Sequence, residues 1–243
     1  MCLLIYPAAG PVMKQNEQDM SSFQPLGDQA VLASFAEEGA ALRWAEAVRR
    51  LNPPWLLDVV QAYTTVAAFF DLDQVHYAGA LAALSDLAGD SESSVGRLHE
   101  IPCCYEMQLD LGRVAQHTGL SADEVIRLHT SAEYTVYAIG FCPGFPYLGY
   151  LPAPLCGVPR LEAPRLRVDA GSVGLTGRQT GIYTEPRPGG WNIVGRTPLE
   201  LVNVRDGYFP LRTGDRVRFV RIDEATFGRL LGQRLRSGHK AGE

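Results

Sequence analysis

The chain has no paired-cysteine motif, no apolar run of membrane length, no basic stripe and no tandem repeat. Each absence removes a class of function. Its five cysteines (Cys2, Cys103, Cys104, Cys142 and Cys156) are odd in number and include no CxxC spacing. A chain of 243 residues has no need of disulfide staples, so the pattern fits reduced, buried thiols. A zinc site built from Cys103, Cys142 and His129 matches no ligand spacing, and no metal is expected. The opening residues, MCLLIYPAAGPVMKQNEQDM, hold a short apolar run with no basic residue before it and a break at Pro7. That suits neither a signal peptide nor a span. Residues 1–21 read as a disordered tail, with Met13 or Met20 as alternative starts, and a cytoplasmic location with no membrane partner is expected. A net charge of −5 argues against a nucleic-acid surface, and the basic RLRSGHK reads as solvated.

The common catalytic templates are missing too. GSVGLTG carries no lysine and so is not a phosphate loop, no GxGxxG opens a helix after a strand, and no GxSxG elbow occurs. A triad assembled from His129, Asp169 and Ser172 has no spacing to recommend it.

What is present divides into two styles. Residues 22–92 alternate strand-like and helix-like runs, as expected of a small α+β domain. EEGAALRWAEAVRRLN places Ala41, Trp44, Ala45, Val48 and Leu51 on one helical face before Asn52-Pro53-Pro54 stops it. LLDVVQAY and TTVAAFFDL read as a hairpin, and QVHYAGALAALSDLAG as a helix closed by Gly89. The polar stretch 89–97 reads as a linker. Beyond it, in a second domain of residues 93–243, HEIPCCYE is a predicted strand. Asp110 is a predicted helix cap, and Ser121-x-x-Glu124 a capping box. From Glu133 onward EYTVYAIGF, WNIV, PLELVNV and DRVRFVRI read as short strands between Gly and Pro turns, which suggests a sandwich or barrel; DEATFGRLLGQRL reads as a terminal helix.

Two segments are unusual in residue choice. GFCPGFPYLGYLP sets Phe141, Phe145 and Tyr147 on a backbone stiffened by proline and released by glycine. AGSVGLTGRQTGIYTEPRPGGWNIVGRTPLEL repeats glycine every few residues yet carries Gln179, Tyr183, Trp191 and Arg196. Together with HTSAEYTVYAIGF and PRLEAPRLRVD, these segments closely resemble the family of 5-oxoprolinase B subunits. That family also takes in the sporulation-kinase inhibitor KipI and the proteins called allophanate hydrolase subunit 1. The resemblance runs from about Phe23 to about Val220 and is strongest from His129 to Leu201.

The resemblance implies a cyclophilin-like β-barrel after the α+β domain. It implies one component of an ATP-hydrolysing 5-oxoprolinase, which opens 5-oxo-L-proline to L-glutamate. The partners would be a C subunit, like a biotin-dependent carboxyltransferase, and an A subunit. The chain alone is expected to bind no cofactor and to be inactive, ATP being used by the complex. A kinase-inhibiting regulator and a component of allophanate or urea metabolism are the alternatives, with a prolyl isomerase behind them. The family's glycine-rich loop after the Ile-Pro strand is CCYEMQLDL here, its Val-Pro-Ala-Gly-Ser is Val168-Asp169-Ala170-Gly171-Ser172, and Thr184 stands where proline is usual. Those departures put substrate specificity in question.

No residue is assigned as catalytic. Arg196 reads either as a fork for a substrate carboxylate or as a structural clamp, and Arg160 and Arg165 face the same choice. Gln179, Thr180 and Tyr183 offer donors and acceptors to a lactam, or else hold the glycine loop to the barrel. His129 reads as an acid–base group or a buried, satisfied histidine. Phe141, Phe145, Tyr147 and Trp191 read as pocket lining, subunit interface or core.

Overall fold

A computed structural model describes residues 20–87 and 96–235. The chain divides into two compact units, residues 1–93 and 94–243. The tail expected at 1–21 and the linker expected at 89–97 fall almost wholly outside the described residues, although a strand already begins at Met20.

In the first unit four strands form an antiparallel sheet: β1 (Met20–Pro25), β2 (Ala30–Phe35), β3 (Leu56–Ala62) and β4 (Thr65–Phe70). Their spatial order is β1-β2-β4-β3, with the expected hairpin joining β3 to β4. Helices α1 (Glu38–Leu51) and α2 (Tyr77–Ser85) share one apolar core with it. Ala41, Trp44, Ala45 and Val48 are buried as the 3.6-residue period requires. Leu51 departs from that expectation and is 47% exposed. It is the last helical residue, followed at once by Asn52 in the left-handed region (φ 41°).

The second unit is a closed barrel. Its strands are β5 (Leu98–Cys104), β6 (Glu133–Ile139), β7 (Pro146–Gly149), β9 (Ser172–Thr176), β10 (Gln179–Ile182), β12 (Asn192–Arg196) and β13 (Arg216–Ile222). Going round, the order is β6-β13-β5-β12-β9-β10-β7, and β7 pairs back to β6. The pairings are antiparallel except β5 with β13. Closure pairs the two ends of the sheet, and the period-two alternation turns Ile101, Tyr134, Val136, Leu148, Leu175, Val217 and Phe219 inward. The short β8 (Arg165–Val168) and β11 (Arg187–Gly189) form a separate two-stranded ribbon. Helices α3 (Leu111–Thr118) and α4 (Ala122–Ser131) contribute to the barrel core, and α5 (Glu224–Leu230) follows β13. The expected architecture of an α+β unit and a β-barrel is what the chain adopts.

Two local expectations change. The capping box of α4 forms as read: Glu124 N donates to Ser121 Oγ at 3.3 Å, and Ser121 N to Glu124 Oε2 at 2.8 Å. Asp110, by contrast, sits at the N-cap of α3 without capping it, because its carboxylate is taken by residues far along the chain. PLELVNV is not a strand. Its backbone makes isolated bridges at Glu200 with Arg234 and at Asn203 with Tyr208, instead of joining the barrel.

Candidate functional site

The glycines of β9 and β10 first explain where the aromatics go. Gly181 lies opposite Tyr147 across the β10–β7 pair, and a Cβ there would stand 2.9 Å from Pro146 O and 3.0 Å from the Phe145 ring. With no side chain in the way, the rings lie directly on the barrel wall. Phe145, Tyr183 and Trp191 are each no more than 4% exposed, and Phe145 meets the other two edge-on at 5.3 and 5.6 Å. Tyr147 is half-buried beside them, and Val168, Ile193 and Cys142 complete a small satellite core. Burial pushes the Tyr183 and Tyr147 hydroxyl pKa values up. Phe145 and Trp191 are therefore core residues. Phe141 is different: it holds a left-handed backbone (φ 66°), is 59% exposed, and only edges against Phe145 and Tyr183.

The three candidate arginines separate as sharply. Arg165 grips Asp110 bidentately, at 2.9 and 2.7 Å, and Asp110 also accepts from Ile193 N at 2.7 Å. Its guanidinium fork is thus engaged inside the protein and ties the β8 ribbon to β12 and to the start of α3. Arg113 makes a parallel tie, donating to Asn192 Oδ1 at 2.9 Å. Arg160 is exposed and lies close enough to stabilise the ionised forms of Tyr147 and Tyr183.

His129 projects from α4 into the barrel. Tyr105 Oη lies 2.6 Å from its Nδ1 and Thr180 Oγ1 2.9 Å from its Nε2, and the ring stacks on Phe219 at 4.6 Å. Thr180 in turn donates to Gly174 O at 3.0 Å, so its oxygen is left to accept. That fixes the chain of protons: Tyr105 donates to Nδ1, Nε2–H donates to Thr180, and Thr180 donates to the backbone. Burial pulls the His129 pKa down to about 3, leaving a neutral ring. Both His129 and Thr180 are fully buried, away from any surface ligand. Gln179, the first residue of β10, is half-buried and paired with Gly149 and Thr176.

Arg196 ends β12 at a pocket of about 340 Å³. Its Nε donates to Ala170 O at 3.0 Å, which anchors the side chain at the base of the guanidinium. The terminal nitrogens make no hydrogen bond among the described residues. Across the pocket stand Leu199, Leu201, Phe227 and Leu231, and Tyr183 and Thr184 lie on another side. Gly171 (φ 82°) makes the tight turn that lets Thr197 N donate to its carbonyl at 2.9 Å, closing the floor. Among the described residues Arg196 is the one cation on the lining, and beside the apolar walls it suits a small carboxylate with an apolar body. Glu200 also lines the pocket, its carboxylate held by Arg234 Nε and Asn203 Nδ2.

Of the candidates read from sequence, the pocket brings together Arg196 and Tyr183; Gln179, Thr180, Arg160, Arg165, His129, Phe141, Phe145, Tyr147 and Trp191 do not line it. Sequence reading named no pocket residue in Phe227, Leu231 or 198–202, although 198–201 closes the glycine-rich segment singled out above. Among the described residues no group of three or more His, Cys, Asp or Glu is placed to hold a metal ion. Cys103 lies in the barrel core and Cys142 in the satellite core, and burial pushes the Cys103 thiol pKa up, away from reactivity.

Comparison with known proteins settles the family. Residues 21–209 match the family model described as the carboxyltransferase domain, subdomain C and D. The 5-oxoprolinase B subunit of Bacillus subtilis is 37% identical over 227 residues, covering 84% of this chain and 94% of that protein. The chain belongs to the family of 5-oxoprolinase B subunits. The B subunit of Escherichia coli O157:H7 is 41% identical over 182 residues, covering 73% of this chain and 83% of its own. Among solved structures, TTHA0988 superposes with a TM-score of 0.72 at 39% identity over 80% of this chain. The chain accounts for 40% of TTHA0988, so in that protein the shared fold is continuous with further polypeptide.

Proposed function

We propose that this chain is the B subunit of an ATP-dependent 5-oxoprolinase and that the Arg196 pocket receives the carboxylate of 5-oxo-L-proline. The observation that carries the reading is Arg196 itself, anchored through Nε and, among the described residues, the one cation on the pocket lining, where the Glu200 carboxylate is already held by Arg234 and Asn203. A planar guanidinium accepts a carboxylate through two parallel hydrogen bonds, and the walls formed by Leu199, Leu201 and Phe227 suit the methylene ring. The lactam is a resonance-stabilised amide, so its opening needs activation of the amide oxygen by phosphoryl transfer from ATP. This chain's part is to bind and orient. The phosphate chemistry falls to the A and C subunits, consistent with a sequence that carries no phosphate loop. Phe141, Phe209 and Val204 are 59%, 45% and 62% exposed. Phe209 packs near Gly144 in the Phe141 loop, on the side of the unit where Tyr183 and Val202 reach the pocket. They form the apolar surface on which the partner docks.

The test is ATP-dependent glutamate release from 5-oxo-L-proline by the chain mixed with its partner subunits. Arg196→Ala is expected to raise KM by tenfold or more, since a charge-assisted pair contributes about 1.5–3 kcal/mol. Gln179→Ala is expected to stay within twofold of wild type. An unchanged KM in the Arg196 variant removes the pocket from the reaction, and no ATP-dependent turnover in the wild-type mixture removes the reaction itself.

A further inference from the structure

The outer wall of the Arg196 pocket is made by two segments far apart in sequence, residues 198–202 and the run from Phe227 to Gly232. They meet along a backbone seam. Gly232 N donates to Pro198 O at 3.0 Å, Glu200 N donates to Gln233 O at 2.9 Å, and Glu200 and Arg234 form a parallel bridge. Arg234 sits on this seam. Its Nε donates to Glu200 Oε2 at 2.9 Å, its Nη2 donates to Asp206 Oδ2, and its guanidinium lies 4.5 Å from the centre of the Tyr208 ring. Each of those three groups is itself tied in. Asn203 Nδ2 donates to the other oxygen of Glu200 at 2.9 Å. Tyr208 exchanges two backbone hydrogen bonds of 2.9 Å with Asn203, and its hydroxyl donates to Leu235 O at 3.1 Å. Asp206 lies within the turn that this Asn203–Tyr208 pair closes.

We propose that Arg234 is a positioning residue that latches the C-terminal strap, residues 231–235, onto the 200–208 loop and so sets the width of the Arg196 pocket and its affinity for a small carboxylate. An isolated ion pair at this exposure contributes little. This one is shared between two carboxylates and an aromatic face, and it reinforces the backbone seam. The strap also depends on it more than most surface segments do. Phe227 and Leu235 are each buried to 7% exposure, but between them Leu231 is 64% exposed, and Gly232 takes a left-handed backbone (φ 76°). The strap therefore has little apolar packing of its own between those anchors. The hydrogen bond from Arg234 draws the Glu200 carboxyl below its ordinary range, so Glu200 is charged at neutral pH. Arg234 stands behind the wall and does not line the pocket. Its effect falls on binding and not on the chemical step.

This inference rests on the carboxylate reading of the pocket, and the experiment separates the two. The full chain is compared as wild type, Arg234→Ala, Arg234→Lys and Arg196→Ala. Amide hydrogen exchange is read on each protein, and KM and kcat for 5-oxo-L-proline on each reconstituted complex. Arg234→Ala is expected to speed exchange in 198–202 and 231–235 while the barrel strands stay protected. Its KM should rise about fivefold with kcat within twofold, and Arg234→Lys, which keeps the charge but loses the planar fork, should recover part of the loss. Unchanged exchange in 198–202 overturns the latch. So does an unchanged KM in Arg234→Ala when Arg196→Ala raises it. If Arg196→Ala also leaves KM unchanged, the carboxylate reading fails and takes the affinity role with it, while exchange still decides whether Arg234 holds the strap.

Discussion

His129 shows how burial converts a titratable side chain into a structural one. Folding lowers its pKa from the ordinary value near 6.5 to about 3, so the unfolded chain binds a proton that the native barrel refuses. Its contribution to stability is therefore complete above about pH 6.5 and is lost as pH falls from there toward 3. The slope approaches about 1.4 kcal/mol per pH unit. Urea unfolding between pH 7 and 5 should show that slope, and His129→Gln should flatten it whatever its absolute stability; an unchanged slope would place the titration elsewhere. Asp110 makes a second residue-scale case. Removing its carboxylate strands Arg165 and leaves Ile193 N without an acceptor, so Asp110→Ala should cost about 3 kcal/mol in the same measurement. The sequence placed Asp110 correctly at a helix start. It gave no sign that the carboxylate serves an arginine 55 residues away.

At the scale of elements, the glycine spacing of β9 and β10 matters because aromatic side chains press against those strands at Gly174 and Gly181. Gly181→Ala should therefore act through the Phe145–Tyr183–Trp191 cluster, costing about 1–3 kcal/mol by overpacking and weakening the near-ultraviolet circular dichroism of Tyr and Trp. A substitution without effect on either signal would mean the rings do not need that gap. The α4 capping box and the barrel strands at EYTVYAIGF and DRVRFVRI were legible because their signals are local: a serine three residues before a glutamate, or apolar side chains at period two. PLELVNV carried the same local pattern and is not a strand. Its hydrogen-bond partner is the Gln233–Arg234 segment, more than thirty residues on, and no local pattern reports that pairing.

At the scale of the molecule, two units carry two separate cores. One gathers Trp44, Phe70 and Leu84, the other Tyr134, Leu148 and Phe219. Residues 94–243 expressed alone should accordingly unfold in a single cooperative transition and retain the pH slope assigned to His129. A fragment lacking dispersed amide signals would show that the barrel needs the rest of the chain. Among the described residues no helix is long and apolar enough to cross a membrane.

Order and motif were enough for the family, for an α+β unit followed by a barrel, and for Arg196 as a residue of interest, because each rests on neighbouring residues or on a signature read along the chain. The composition of the pocket was not legible in that form. Gly171, Arg196, Phe227 and Leu231 become neighbours only when the barrel closes and α5 folds back beside β5. The same closure decides that His129 is neutral and that Arg165 is already occupied. Charge state and availability depend on what surrounds a side chain, and in this protein those surroundings come from strands and loops distant in sequence.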